Sequence, residues 1–481
     1  MTTVKKSLVY SLADTYLQVA IQLGSSMILA RLLTPNEIGV FSVGAAVLAI
    51  AHMLRDFGVG SYIIQEKNLT KDRLKAAFGI TMLAAWSIAL GLYLSRHVIA
   101  DFYREPALVQ IMAWMSLNFV IIPFSSPVLA LFKREMKFHL LMYIGLISTI
   151  ASAGTSIYLA YQGHGFMSLV WGSLVNILTT ALTATALRPK DSFVLPSLKG
   201  SKHVFSFSGK SSLTNVLGQV GYNVAELVIG KSLGFSNVAI YSKAQTIVSM
   251  FSQQFMGSIR NVYYPVIAQQ NRENKPLGPA FLNATVYVTS IAFPFYGFLA
   301  LYADEIILLM FGDQWLASSD IIRILALGGV IYSVWSFAPN TLYALNKPGS
   351  VLKAELLIQS FRVIIIIPAA SISLNVLALA QVATYVIGFI IYLFILSPLI
   401  RLRFWQFLFQ STILGCLIAI VSLTVPLYIK QSLAPVVDNS FLLLALAGTA
   451  FALSWLAAMF LTKHPIRKEL INLIFLRKAT T

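Results

Sequence analysis

The feature that most constrains this chain is a succession of apolar blocks, each about twenty residues long, separated by short polar turns. A helix of about 20 apolar residues spans the hydrocarbon core of a bilayer, and within that core only helices and closed barrels satisfy their own backbones. Barrel strands alternate in polarity over roughly ten residues, whereas these blocks are continuously apolar. The expected class is therefore an all-α, polytopic membrane protein. Composition agrees, since 57% of the 481 residues are hydrophobic and only 11% are charged, against about 25% charged in soluble domains. A soluble enzyme, a disordered chain and a secreted disulfide scaffold are excluded. The one cysteine, Cys416, lies inside an apolar block, so no internal disulfide or cysteine-ligated metal is expected. The basic start at Lys5 and Lys6 leads into a helix without a small-residue cleavage site, as expected of a retained first span.

Proline, glycine and charge punctuation divide the chain into about fourteen spans. They lie near 8–32, 38–64, 76–96, 107–131, 139–161, 166–187, 204–231, 236–259, 280–302, 321–343, 351–370, 374–398, 405–429 and 440–461. The first, second, seventh and eighth are the least apolar. With both termini inside, 25 of the 35 basic residues fall in cytoplasmic segments and six fall outside (Arg31, Arg96, Arg104, Lys231, Arg323, Lys430). Positive charge marks the cytoplasmic side, so both termini are expected there. This also accounts for the net charge of +17 without nucleic acid, because the basic residues are dispersed between apolar blocks.

An internal repeat is legible. Residues 30–42 (Ala-Arg-Leu-Leu-Thr-Pro-Asn-Glu-Ile-Gly-Val-Phe-Ser) echo residues 230–242 at a separation of 200, and residues 129–134 echo 342–347 at 213. Six spans per copy is even, so the copies enter from the same side, giving two pseudo-symmetric six-helix lobes. The expected organisation is a first lobe over 1–190, a cytoplasmic linker over 191–203, and a second lobe over 204–400. Two additional helices follow over 401–462, then an amphipathic cytoplasmic tail over 463–481. Pro123, Pro127, Pro294, Pro339 and Pro368 fall within spans and are expected to kink them.

Polar residues inside the spans mark the candidate site, since two-lobed transporters carry substrate near the midplane. In the first span Ser11, Asp14, Gln18, Gln22 and Ser25 share one helix face; in the seventh, Ser211, Asn215, Gln219, Tyr222 and Glu226 do the same. His52, Arg55 and Asp56 lie in the second span, Lys243, Gln245, Ser249 and Gln253 in the eighth, and Glu355 and Arg362 in the eleventh. Each of the in-span cations Arg55, Lys210, Lys243 and Arg362 costs about 2.5–3.5 kcal/mol at a helix centre. They must face a wet cavity, pair with acids, or reach the interface. Arg362 is the deepest and the first candidate for substrate charge, whereas Lys210 and Lys243 stand equally well as interfacial side chains. Asp14, Asp56 and Glu226 are either ion-coupling carboxylates or structural counter-ions, and His52 is either a packing residue or a proton relay. Arg31 and Lys231 occupy matched outer ends, where they either complement helix C-termini or form an anion-attracting mouth.

No catalytic constellation is present: no phosphate loop, no zinc-binding His pair, no nucleophile elbow and no room for a catalytic domain in the outer loops. Neither an enzyme nor a cofactor is expected.

The segment Leu29-Ala30-Arg31-Leu32-Leu33-Thr34-Pro35-Asn36-Glu37-Ile38-Gly39-Val40-Phe41 resembles a hallmark of Wzx-type polysaccharide flippases. So does Asp56-Phe57-Gly58-Val59-Gly60-Ser61-Tyr62-Ile63-Ile64-Gln65-Glu66-Lys67, and Phe311-Gly312-Asp313-Gln314-Trp315 is similar to a third element found there. These flippases belong to the multidrug/oligosaccharidyl-lipid/polysaccharide exporter superfamily. Over nearly the whole chain the likeness is to the branch exporting lipopolysaccharide, colanic-acid and teichuronic-acid units. The resemblance implies a bacterial inner-membrane protein moving an undecaprenyl-diphosphate-linked oligosaccharide to the periplasmic leaflet by alternating access. Its partners would be that substrate, membrane lipids, a proton or sodium ion, and polysaccharide polymerase or assembly proteins. The alternatives are a cation-coupled drug antiporter of the same superfamily and a membrane-embedded polymerase or ligase. The first wants an acidic cavity, the second a large outer loop with clustered Arg or His.

Overall fold

The computed structural model describes residues 3–56, 59–188, 196–197, 218–433, 439–462, 464 and 466–467. All regular elements among the described residues are helical. The chain divides into two compact units, Met1–Ala239 and Ile240–Thr481.

The first unit holds α1 (Thr3–Leu32), α2 (Pro35–Asp56), the short α3 (Val59–Gln65), α4 (Lys71–Tyr103), α5 (Ala107–Ile121), α6 (Ser126–Arg134), α7 (Phe138–Tyr161), α8 (Met167–Leu187) and α9 (218–232). It also takes the first turn of α10 (Phe235–Met250). In the second unit α10 continues through a π-helical turn (Phe251–Phe255) into α11 (Met256–Arg272). There follow α12 (Leu277–Leu301), α13 (Ala303–Met310), α14 (Ala317–Trp335), α15 (Ala338–Ala344), α16 (Pro348–Ala370) and α17 (Leu374–Ile400). The extra pair comes last: α18 (Phe404–Leu408), a second π-helical turn (Phe409–Ile413), α19 (Leu414–Leu433) and α20 (Ser440–Leu461).

Ten helices among the described residues are long and apolar enough to cross a membrane. The helix of the second span is one of them, more apolar than its sequence neighbours suggested. By contrast α16 is not, because Lys353, Glu355 and Arg362 fall within its 23 residues. Side chains such as Phe394, 81% exposed, and Leu453, 69% exposed, fit a hydrocarbon surround and not water.

Proline breaks two of the expected spans. Span 107–131 is α5 and α6 joined by a 3-10 turn around Pro123, with Pro127 in the first turn of α6. Span 321–343 is α14 followed by α15, with Pro339 in its first turn. Proline removes a donor and clashes with the preceding turn, but it is at home where a helix begins. Pro294 and Pro368 remain inside α12 and α16.

The repeat is visible in the backbone. Leu33 N donates to Leu29 O at 2.9 Å and Leu233 N to Ile229 O at 2.8 Å; Ile38 N donates to Thr34 O at 3.2 Å and Val238 N to Gly234 O at 3.3 Å. That turn keeps the separation of 200. The second echo lies in a different register. Glu135, Met136 and Lys137 donate to the carbonyls of Leu131, Lys133 and Phe132, and Leu345, Asn346 and Lys347 donate to those of Thr341, Tyr343 and Leu342. Met136 and Asn346 both adopt left-handed backbone, φ 56° and 57°. The turns are therefore separated by 210 and not 213. Similar Leu, aromatic and basic residues aligned one helical turn out of place.

At the start of α2 the motif Thr34-Pro35-Asn36-Glu37 is a capping box. Glu37 N donates to Thr34 Oγ1 at 3.3 Å, while Glu37 Oε2 accepts from Thr34 N and Thr34 Oγ1, each at 2.8 Å. Gly39 follows because α2 passes directly over the Phe235 carbonyl at the start of α10, where any Cβ would overlap it. Elsewhere in this unit the chain at Ser197 crosses α4, with Ser197 N donating to Lys75 O at 3.1 Å.

The extra helices pack on α12. Trp455 Nε1 donates to Ser290 O at 2.9 Å, Tyr302 OH to Pro426 O at 2.6 Å, and Lys430 pairs with Glu305 at 3.0 Å. Of the expected amphipathic tail, only residues 464, 466 and 467 are among the described residues. There His464 is buried, and Ile466 packs against Ile418, Ala458 and Met459.

Candidate functional site

The second unit builds a continuous polar and aromatic ladder from residues on four helices. It begins at the π-helical turn, a wide turn that offsets the regular ladder and recurs at functional sites. Arg260, two turns further on, donates from NH2 to Ser252 O at 3.0 Å, and its NH1 reaches Tyr332 OH at 3.5 Å. The Tyr332 ring lies 4.9 Å from Trp335 and 5.7 Å from Tyr385. Trp335 donates its Nε1 to Tyr385 O at 3.2 Å and stacks on Tyr392 at 5.1 Å. That stacking requires Gly388, where a Cβ would come within 2.7 Å of the indole. Tyr392 OH donates to Glu355 Oε1 at 2.7 Å, and Gln359 Nε2 donates to Glu355 Oε2 at 3.0 Å.

Arg362 lies one turn beyond Gln359 on α16. It is 8% exposed, and its Nε is buried without a hydrogen-bond partner among the described residues; the Gln359 Oε1 is in the same condition. The expected deepest cation is thus buried in a helix bundle, beside an acceptor that is also unmet.

Lys243 has a different place. It is buried on α10 with its Nζ 4.6 Å from the Phe311 ring centroid and 5.4 Å from that of Trp315. Phe311 and Trp315 are the aromatic ends of the third sequence motif, and Gly312 between them has φ 98°. The motif folds into an aromatic cradle for a cation. Lys231, one of the two outer cations, donates to the Phe102 carbonyl at the end of α4 and lies 4.5 Å from the Phe102 ring. That is how a helix C-terminus attracts a cation. Arg31 sits exposed in the last turn of α1.

In the first unit Gln18 Nε2 donates to Asp14 Oδ1 at 2.6 Å, and both side chains lie against Gly145 of α7, where a Cβ would overlap the amide. Gln22 is exposed. His52 lies over Phe119 at 4.5 Å, Arg55 is half-buried in the last turn of α2, and Asp56 ends that helix with its side chain outside the described ones. On α9 Gln219 lends its carbonyl to Asn223 Nδ2 at 2.8 Å, Tyr222 is exposed and Glu226 half-buried. Lys210 and Asn215 lie outside the described residues. The second sequence motif is organised around Arg134, whose NH1 donates to the carbonyls of Ile63 at 2.7 Å and Ile64 at 3.2 Å, ending α3. Beside it Arg73 pairs with Glu66 at 2.6 Å.

Glu355 and Arg362, expected in one span, both lie on α16, seven residues apart. Arg260, Tyr332, Trp335, Tyr392 and Gln359 are not among the residues that the sequence singles out. Arg260 had been counted with the cytoplasmic connections, one residue past the apolar run, but the helix continues to Arg272. The available signal was the spacing of aromatic residues, three between Tyr332 and Trp335 and seven between Tyr385 and Tyr392, which keeps each pair on one helix face.

Residues 28–320 match the family model described as "Polysaccharide biosynthesis protein". The chain is 25% identical over 340 residues to the teichuronic acid biosynthesis protein TuaB of Bacillus subtilis (strain 168), covering 70% of this chain and 68% of that one. It is 23% identical over 351 residues to the lipopolysaccharide biosynthesis protein WzxC of Escherichia coli (strain K12), covering 72% and 69%. Its fold matches the inward closed conformation of the lipid II flippase MurJ, with a TM-score of 0.74 over 96% of this chain and 100% of the other, at 14% identity.

Proposed function

Because this chain belongs to the polysaccharide biosynthesis protein family, we propose that it is a flippase for a lipid-linked oligosaccharide. In this reading it moves an undecaprenyl-diphosphate-linked unit from the cytoplasmic to the periplasmic leaflet of a bacterial inner membrane by alternating access, with both termini cytoplasmic. The observation that carries the reading is the family match over residues 28–320. The names of TuaB and WzxC as glycan biosynthesis proteins and the lipid II flippase fold support it.

The side chains suit such a cargo. A diphosphate is anionic, and cations on membrane helices lower the cost of carrying it through low dielectric. Arg260, Arg362, Arg55 and Lys210 are the cations we assign to that task, while Lys243 is committed to its aromatic cradle. Sugar hydroxyls want donors and acceptors, which Gln22, Asn215, Gln219, Tyr222, Glu355 and Gln359 offer. Asp14, Asp56 and Glu226 are the carboxylates we assign to coupling with a proton or sodium ion, and the downstream polymerase machinery is the partner that receives the product. Catalysis forms no part of this reading. A drug antiporter for cationic substrates is disfavoured by a buried arginine without an acid beside it.

The test is leaflet accessibility. Purified protein in liposomes containing a fluorescent lipid-linked oligosaccharide should expose the inner pool to an added impermeant quencher, and the Arg260→Ala variant should do so more slowly while still inserting. Equal exposure in protein-free liposomes, or in cells lacking the protein, overturns the proposal.

A further inference from the structure

The turns after α6, α11 and α17 each contain a residue of left-handed backbone, respectively Met136, Asn274 and Arg401. At the first two the flanking charges cancel: Lys137 pairs with Glu135 at 2.6 Å and Lys275 with Glu273 at 2.7 Å. The third is different. There the left-handed residue is itself an arginine, Arg403 follows two positions later, and the sequence holds no acid between Glu355 and Asp438. Both arginines are exposed, and neither guanidinium has a hydrogen bond or an ion pair among the described residues.

The corner that carries them is held from inside. Arg401 N and Leu402 N both donate to Ser397 O, the second at 3.0 Å, and Phe407 N donates to Arg403 O at 2.9 Å where α18 begins. Phe407 is buried, its ring stacked on Phe281 of α12 at 5.6 Å. The start of α12 passes so near that a Cβ on Gly278 would come within 2.8 Å of the Ile400 carbonyl oxygen. One side chain thus fixes α18 to α12 while its neighbours stay outside. Phe404 and Phe409 are exposed, Trp405 is 78% exposed, and the Trp405 indole N–H has no partner among the described residues.

Water does not suit three exposed aromatic rings, and hydrocarbon does not suit two guanidinia. The head-group layer of a bilayer suits both, and an indole with its apolar body and polar tip settles there. What meets the arginines in that layer is a lipid phosphate, the anion that a guanidinium fork matches. A zwitterionic head group brings its own ammonium, which cancels its phosphate; an anionic one leaves a whole negative charge for the protein. A soluble acidic partner or a free phosphate would answer the arginines and leave the aromatic rings unmet. We propose that the corner between α17 and α18 binds an anionic phospholipid. Arg401 and Arg403 take its phosphate, the Trp405 indole donates to a glycerol or ester oxygen, and Phe404 and Phe409 lie against its acyl chains. The site requires that the chain lie in a membrane and is independent of what the chain carries across it.

The test uses the full chain in dodecyl maltoside micelles, titrated with phosphatidylglycerol or with phosphatidylcholine of the same acyl chains, with thermal unfolding as the readout. Phosphatidylglycerol should raise the Tm at concentrations where phosphatidylcholine does not. Arg401→Gln and Arg403→Gln should each weaken its apparent affinity about fivefold, the equivalent of about 1 kcal/mol per arginine at a membrane surface, and the double variant about thirtyfold. Trp405→Leu, which keeps an apolar body without the N–H, should weaken it as well. Lys347→Gln removes an exposed charge from another helix-ending turn and should change nothing. Equal responses to the two lipids, or no response to either, would overturn the proposal. So would equal losses in Lys347→Gln and Arg403→Gln, which would mean a diffuse basic surface and no site. Sodium pyrophosphate at matched ionic strength that reproduces the shift, and loses it in the same variants, would assign the corner to any phosphate and overturn it too. If the double variant does not fold, the single variants decide the matter in the same way. None of these outcomes touches the leaflet assay, on which the flippase reading stands or falls by itself.

Discussion

Lys243 holds its ammonium nitrogen 4.6 Å from the centre of the Phe311 ring. Trp315 lies 5.4 Å away, its ring centre 6.4 Å from that of Phe311, so the motif from Phe311 to Trp315 has a physical task within one unit. Its rings shelter a cation that an apolar environment alone would reject.

That role separates Lys243 from the transport cations. Lys243→Met keeps the length and apolar volume of the side chain and removes the charge together with the cost of its desolvation. It should leave folded protein and leaflet exchange close to wild type. Trp315→Ala should lose about 3–5 kcal/mol, as large-to-small changes of buried aromatics do. Size-exclusion profiles in detergent together with the exchange rate check both. A Lys243→Met protein that folds normally but exchanges no substrate would return this lysine to the binding site.

The start of α2 yields a second test. Thr34→Ala removes the hydroxyl that caps Glu37 N and should cost about 1 kcal/mol. Gly39→Ala places a methyl group into the Phe235 carbonyl, and overpacking of a rigid backbone contact should cost about 1–3 kcal/mol. The two variants should therefore rank with Gly39→Ala the less stable, as measured by thermal unfolding in micelles. The reverse ranking would mean that α2 and the start of α10 separate easily.

The helices were legible because a bilayer imposes a length and a polarity that any sequence must display, and the turn at residues 33–38 because Thr, Pro and Glu each have a local reason to stand there. What escaped was set by backbone geometry that side-chain identity does not announce. The π-helical turn at 251–255 carries the helix past the end of its apolar run and brings Arg260 onto Tyr332. The left-handed residues Met136 and Asn346 fix the second register of the repeat, yet neither is a glycine. Arg134 reads as one more basic residue between apolar blocks, whereas its guanidinium donates to the carbonyls that end α3. The sequence puts Asp14 and Gln18 on one helix face, one turn apart, but does not announce that they bond each other against α7.

Arg134 provides the third test. Two carbonyls at the end of α3 depend on one guanidinium arm, so Arg134→Ala leaves them to water or to nothing. The expected cost is roughly 1–3 kcal/mol, local to α3. Hydrogen exchange over residues 59–67 should accelerate while exchange in α14 and α17 is unchanged. Both bonds leave one nitrogen, NH1, and lysine, with three donors on a side chain one bond shorter, falls short of the carbonyls, so Arg134→Lys should restore only part of the protection. Uniform protection in all three proteins would show that α3 is held by its apolar contacts with Leu74, Ala77 and Leu131 alone.

His464, just beyond α20, makes the packing of Ile466 sensitive to pH. It is buried beside Tyr287, its Nδ1 accepts from Ile466 N at 3.2 Å, and its Nε2 has no partner among the described residues. Burial disfavours the imidazolium and pushes the group down from 6.5 to about 4. The sign follows from proton binding: an undocked His464 takes up a proton near 6.5, while the docked one does not until about 4. Docking is therefore unaffected above about 6.5, weakens as pH falls from there towards 4, and levels off below. Hydrogen exchange at residues 464–467, corrected for the intrinsic pH dependence of the amides, should rise between about pH 7 and about pH 5. His464→Asn keeps an acceptor for Ile466 N without a titrating group, so its exchange should be flat over that interval. Wild-type protection that does not change with pH would mean that water reaches the imidazole and that the segment is held by Ile466 alone.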